Sequence, residues 1–160
     1  MTEPDTAQTQ AWLDQEDRHV ALTIRKYGCL VQYVSTPAKT PSFGYTVGLF
    51  GLGHPELIVF GMTRNAAAYT LNWFFDRIRD GEDLMPGQVL RPDDNAPRFL
   101  VEKFPNPAEY LFSANRHYDR PDSLSVPAYQ LTWDDNGAFP GEDGYTKPAW
   151  LQPRPGAASA

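Results

Sequence analysis

The stretch Ser42–Gly61, SFGYTVGLFGLGHPELIVFG, decides the fold that the sequence predicts. In its first part, Phe43–Val47, every second residue is large and apolar, so these side chains share one face of a strand. Residues 57–60, LIVF, form a continuous apolar run, which is typical of a strand covered on both faces. The segment 51–56, GLGHPE, predicts a tight connection between the two strands. The stretch therefore predicts adjacent antiparallel strands joined by a turn that contains His54.

Apolar residues at helical spacing predict helices on both sides of this stretch. The first helix is expected from about Gln8 to Tyr27, and the second from Thr63, a suitable N-cap, to Asp80. We expect the second helix to pack Phe74 and Phe75 against the sheet. A shorter helix is predicted to begin at Asn106. Further strands are predicted at 29–35, 88–90, 99–104 and 126–133.

These elements predict an α+β fold, a single domain with a mainly antiparallel sheet of about four to six strands. Two main helices and a short third one flank this sheet. The globular part is expected to span residues 8–150, with mobile tails at 1–7 and 151–160.

Composition excludes several function classes. The 160 residues carry a formal charge of −6, and an acidic surface disfavours nucleic-acid binding, which depends on neutralising phosphates. No apolar run is long enough to cross a membrane, and the polar N-terminus does not resemble a signal peptide. Cys29 is the single cysteine, so a reducing compartment and a cytoplasmic location are expected. The sequence indicates no particular cofactor and no oligomeric state.

His54 and Glu56 form the candidate catalytic pair. Residues two apart in an extended segment share a face, so the carboxylate could orient the imidazole as a general base. The alternative is that His54 only shapes the turn, held extended by Pro55. No metal site is expected, because the three histidines and the one cysteine lack the spacing of metal ligands.

Four further residues are candidate ligand-binding positions: Tyr45, Arg116, Trp133 and Asp134. Arg116 lies in a small basic cluster that could receive a carboxylate or a phosphate, although cations near a helix end also have a purely structural explanation. Trp133 could line a pocket or cover the core. We expect the turn at His54 and the segment after Trp133 to meet and to form one cleft.

The chain resembles the bacterial domain of unknown function family 4262. The likeness is carried by Gly44–Gly61, GYTVGLFGLGHPELIVFG, and by Val126–Tyr145, VPAYQLTWDDNGAFPGEDGY, and it spans roughly residues 17 to 146. This resemblance implies a compact domain and no settled activity. Two function hypotheses remain. In the first, the domain binds a small molecule in a cleft near the GHPE turn and could act there as an enzyme. In the second, it is a protein-interaction module of the immunity or regulatory type that uses an aromatic surface.

Overall fold

The computed structural model describes residues 6–156 and contains three α-helices and six strands. The helices are α1 (Thr6–Tyr27), α2 (Arg64–Arg79) and α3 (Phe112–His117). The strands are β1 (Leu30–Val34), β2 (Phe43–Val47), β3 (Glu56–Phe60), β4 (Val89–Leu90), β5 (Phe99–Phe104) and β6 (Ala128–Trp133). One-turn 3-10 helices lie at Phe50–Leu52, Pro107–Glu109 and Asp122–Leu124. The predicted α+β architecture is confirmed.

The six strands form one sheet in the order β1-β2-β3-β6-β5-β4. All neighbouring strands are antiparallel except β3 and β6, which pair in parallel with Glu56 opposite Ala128 and Ile58 opposite Gln130. Parallel neighbours need a long crossover connection, and here α2, β4, β5 and α3 all lie between β3 and β6 in the chain. The last strand therefore inserts into the middle of the sheet and runs in the same direction as β3.

Helix α2 covers one face of the sheet, as its apolar stripe predicts. Thr63 caps the helix, its hydroxyl accepting a hydrogen bond from Ala66 N at 3.2 Å. Phe74 is fully buried and its ring meets the Phe99 ring edge to face, with ring centroids 5.6 Å apart. The helix approaches β2 closely because Gly44 has no side chain, and a Cβ there would lie 3.2 Å from Ala67 Cβ. The prediction that Phe74 packs against the sheet is confirmed, and Phe75, which is 4% exposed, lies in the same core cluster.

Helices α1 and α3 cover part of the opposite face. Helix α1 includes Thr6 and Ala7, ahead of the predicted start at Gln8, and only Val20 is buried among its described residues. Tyr27, which the helical spacing placed on the apolar face, is 62% exposed because α1 ends there and the chain turns at Gly28 with φ of 90°. The predicted third helix is split into a 3-10 turn and α3, which begins only at Phe112.

The segment 151–156 packs against the sheet, although it was expected to belong to a mobile tail. Gln152 is 3% exposed and exchanges two hydrogen bonds of 3.0 Å with the backbone of Trp133. Arg154 forms a bidentate ion pair with Glu102, with nitrogen–oxygen distances of 2.6 and 3.0 Å. The packed chain therefore extends through residue 156, and the ends of both predicted tails lie outside the described residues.

Candidate functional site

The Glu56 carboxylate is buried at the start of β3 and accepts four hydrogen bonds. Its Oε1 accepts from Thr46 Oγ1 at 2.7 Å and from Leu49 N at 3.0 Å. Its Oε2 accepts from Gly48 N at 3.0 Å and from Phe50 N at 3.2 Å. Burial raises the pKa of Glu56, while these hydrogen bonds oppose that shift. The carboxylate thus occupies a cradle of backbone N–H groups and fixes the turn after β2.

The His54 side chain is 5% exposed and both of its ring nitrogens are engaged within the protein. Nδ1 lies 2.7 Å from Pro55 O, and Nε2 accepts a hydrogen bond from Leu84 N at 3.2 Å. A carbonyl can only accept, so this arrangement requires the neutral tautomer with the proton on Nδ1. Both ring nitrogens therefore already have protein partners, and Glu56 is not one of them.

Trp133 belongs to the core under α2, and its indole Nε1 donates to Phe60 O at 2.7 Å. Asp134 is 9% exposed and binds Arg98 twice, through Arg98 N at 2.9 Å and Arg98 Nε at 2.6 Å. These contacts attach the end of β6 to Phe60 on β3 and to Arg98, the residue before β5.

Tyr45 and Arg116, the other two predicted ligand-binding residues, differ in their exposure to solvent. Tyr45 is 2% exposed and its hydroxyl accepts a hydrogen bond from Ser113 N at 2.9 Å, which ties β2 to α3. Arg116 is exposed, donates through Nε to Asp17 Oδ1 at 2.8 Å, and lines a surface cavity. The described contacts of Tyr45 are thus internal, whereas Arg116 faces space that a ligand could enter.

The structure does not bring His54 and Trp133 together, so the expectation that they form one cleft is wrong. The His54 ring packs on the Tyr129 ring at 5.8 Å, near the start of β6. Trp133 lies four residues further along that strand, about 13 Å away at ~3.3 Å per residue. The physical reason is the parallel pairing of β3 and β6, which places the start of β3 and the end of β6 at opposite ends of this strand pair.

A cleft of about 630 Å³ opens beside the turn, at the starts of β3 and β6 and the end of β5. Its volume falls in the range of small-molecule sites. Most of its wall is apolar, and five of its ten lining residues are prolines. It is lined by Pro55, Lys103, Phe104, Pro105, Pro107, Pro127, Ala128, Tyr129, Pro155 and Gly156.

Residues of the turn contact two of the residues that line this cleft, Tyr129 and Pro127. The His54 ring holds the Tyr129 ring edge to face, at an interplanar angle of 88°. Glu56 N donates to Pro127 O at 3.0 Å, which fixes the proline before β6. The sequence pattern identified the turn but not the residues that line the cleft. The available signal was the placement of prolines next to predicted strand ends at 55, 105 and 127.

Lys103 supplies the charge of this cleft. It is the one cation among the lining residues, and within residues 6–156 its ammonium group forms no ion pair. Tyr129 is the second lining side chain with a polar group. The cleft therefore combines apolar walls with one positive charge.

In the described part of the chain, no group of three or more His, Cys, Asp or Glu side chains is arranged to hold a metal ion. No helix between residues 6 and 156 has the length and hydropathy needed to cross a bilayer.

Comparison with known proteins identifies the family. The profile of DUF4262, a domain of unknown function, matches residues 23–146, which include the GHPE turn and all six strands. Searches of curated proteins and of solved structures returned no match. Because the family profile covers more than half of the chain, the protein belongs to the DUF4262 family.

Proposed function

We propose that this domain binds a small apolar molecule with one carboxylate group in the cleft beside the GHPE turn. The observation that carries the proposal is the combination of a cavity of about 630 Å³, largely apolar walls and the unpaired cation of Lys103. Apolar pockets with few polar groups are typical of small-molecule sites, because burial of the ligand supplies affinity and the polar groups orient it.

The prolines support the proposal because they make the wall rigid. A pyrrolidine ring fixes φ near −65°, so Pro55, Pro127 and Pro155 have little conformational freedom to lose when a ligand binds. A site that is ordered before binding has a smaller entropic cost of association. Proline also lacks an N–H group, so these positions offer an apolar surface without a backbone donor.

The position of Lys103 supports the choice of an anionic ligand. Its lining neighbours carry no opposite charge, since the cleft contains no Asp or Glu. A carboxylate at the rim would pair with the ammonium group while the apolar part of the ligand contacts Phe104 and Tyr129. The surrounding apolar walls strengthen such a pair relative to one in open solvent.

The proposal assigns His54 and Glu56 to positioning and not to catalysis. Each of the two side chains is buried and bound to backbone groups of the fold. Neither of them lines the cleft. The proposed function is therefore binding, with Tyr129 held in place by His54.

The test uses 2-naphthoate as the probe and 2-naphthamide as its neutral counterpart, with binding followed by NMR of the amide groups. We expect 2-naphthoate to shift Ala128 and Tyr129 and to bind more tightly than the amide. Lys103→Gln should remove that preference, while the matched variant Lys26→Gln, on α1, should preserve it. Equal binding of both probes by the native protein, or shifts confined to other parts of the domain, would refute the proposal.

A second candidate function is supported by exposed aromatic side chains. Trp12 on α1 is 59% exposed and Phe112 on α3 is 66% exposed, and both line a groove of about 340 Å³. Aromatic residues are enriched at protein interfaces, so this groove is the place where a protein-interaction module would bind its partner. The double variant Trp12→Ser with Phe112→Ser should then abolish capture of a partner from a cell extract, with no change in the melting temperature.

A further inference from the structure

A second cavity, of about 580 Å³, lies on the surface where α3 meets the segment that follows it. It is separate from the proline-lined cleft and shares no lining residue with it. Its wall is strongly charged. The lining residues are Asp17, Phe112, Asn115, Arg116, Asp119, Arg120, Pro121 and Asp122.

The charges of this cavity are only partly balanced by internal pairs. Arg116 pairs with Asp17 at 2.8 Å. Arg120 donates through Nε to Leu124 O at 2.5 Å, which leaves its positive charge without a carboxylate partner in the described chain. Asp119 and Asp122 also form no ion pair within residues 6–156. One cation and two anions therefore remain for a ligand.

The unpaired charges, one positive and two negative, favour some classes of ligand over others. A phosphate dianion would face a lining that carries three carboxylates and two guanidinium groups, a net charge of −1. A simple amine would leave Arg120 without an anionic partner. A molecule with a carboxylate and an ammonium group can pair with Arg120 through one end and with Asp119 or Asp122 through the other.

We infer that this cavity binds a small zwitterion of the α-amino acid type, with its carboxylate toward Arg120 and its ammonium group toward Asp119 and Asp122. The Phe112 ring, which is 66% exposed, offers an apolar contact for the side chain of such a ligand. The guanidinium of Arg120 is held over the Phe50 ring at 5.3 Å, so the carboxylate-binding group is anchored before the ligand arrives.

The test compares three probes that share a phenyl group and differ in charge. L-phenylalanine carries both charges, 3-phenylpropanoate only the carboxylate and phenethylamine only the ammonium group. We expect L-phenylalanine to bind roughly tenfold more tightly than either of the others, since each lost charge pair removes about 1.4 kcal/mol at that ratio. NMR shifts should be concentrated at Asn115, Arg116 and Asp122.

Variants then test the two carboxylates that are expected to bind the ammonium group of the ligand. Asp119→Asn keeps a residue that tolerates the positive φ of 52° found there, so the fold should be preserved. Combined with Asp122→Asn, it should reduce the affinity for L-phenylalanine to that for 3-phenylpropanoate, whereas the matched exposed variant Asp94→Asn should have no effect. Lys103→Gln should also leave this binding unchanged, which keeps the inference independent of the cleft. Unchanged affinity in the double variant, or equal binding of all three probes, would overturn the inference.

Discussion

The Thr46 hydroxyl donates to Glu56 Oε1 at 2.7 Å and at the same time accepts a hydrogen bond from Leu57 N at 2.9 Å. An ionised carboxylate can only accept, so the hydroxyl proton of Thr46 points at Glu56 and the hydroxyl oxygen accepts from Leu57 N. Together with three backbone N–H groups, this hydroxyl gives each carboxylate oxygen of Glu56 two donors. These donors favour the ionised carboxylate and oppose the rise in the pKa of Glu56 that burial causes.

Glu56→Gln should lower the stability of the domain by about 2 kcal/mol. The amide has one acceptor oxygen, so in either orientation its NH2 group would face at least one backbone N–H donor where the native protein has a second acceptor. Urea unfolding at neutral pH measures the effect. Glu16→Gln, which changes an exposed carboxylate on α1, serves as the control and should be neutral. A stability of Glu56→Gln equal to that of the native protein would show that the cradle does not require the carboxylate.

His54→Phe should destabilise the domain by about 1–3 kcal/mol. The benzene ring keeps the packing on Tyr129 but cannot accept the hydrogen bond from Leu84 N, which is buried. The matched change His19→Phe on the exposed side of α1 should have a much smaller effect. Hydrogen exchange offers a specific readout, because the Leu84 amide should lose protection in His54→Phe. Retained protection there would contradict the structural role of His54.

Phe74→Ala should cost about 3–5 kcal/mol of folding stability. The side chain is fully buried between α2 and the sheet, so its removal leaves a cavity that the surrounding strands can fill only in part. Thermal unfolding monitored by circular dichroism measures the loss. Leu22→Ala, at a position that is 60% exposed, is the control. An unchanged melting temperature for Phe74→Ala would be incompatible with this packing.

Arg154→Met should weaken the attachment of the segment 151–156 by about 1–3 kcal/mol. Arg154 and Thr132 hold the pKa of Glu102 below its ordinary value of 4.5, although burial opposes the shift. A lowered pKa in the folded state adds stability above the ordinary pKa, and this stability is lost as the pH falls through the lowered value. The difference in unfolding free energy between native protein and variant should therefore shrink as the pH falls below 4.5. A difference that stays constant in acid would exclude the ion pair as its source.

Cys29 should react slowly with iodoacetamide in the folded protein. Burial is the main cause that raises the pKa of its thiol to about 12, and only 7% of the residue is exposed. The reactive thiolate is therefore scarce at neutral pH. Mass spectrometry after timed labelling should show little modification of Cys29 in buffer. It should show rapid modification in about 6 M guanidinium chloride, which unfolds most domains. Fast labelling of the native protein would contradict the burial of Cys29.

Local sequence patterns determined most of the secondary structure. These patterns act over a few residues, and the elements form where the patterns predict them. Examples are the alternation from Phe43 to Val47 in β2 and, in α2, the N-cap Thr63 and the apolar stripe that ends at Ile78. The third helix was less predictable. Asn106 and Pro107 start a 3-10 turn, and α3 forms only after Leu111, which is buried in the core.

The roles of the candidate site residues depend on contacts between residues that are far apart in the sequence, and local patterns do not predict such contacts. Hydrogen-bond partners of His54 lie at Pro55 and Leu84, and the second of these follows a whole helix. The sequence marked the turn as special through its glycines and its proline, but the same residues are used for a catalytic loop and for a rigid connection. Only the burial and the partners of His54 and Glu56 distinguish these cases.

The amino-acid sequence by itself determined the α+β class, the helix α2 and the strands around the GHPE turn, because these follow from the periodicity of apolar side chains. The tertiary structure alone decided the direction of β6. An antiparallel β6 would have carried Trp133 to the start of β3, next to His54, whereas the parallel pairing carries it to Phe60 at the other end. Strand direction is set by the long crossover and by packing on both faces of the sheet, and a strand has the same alternation whichever way it runs.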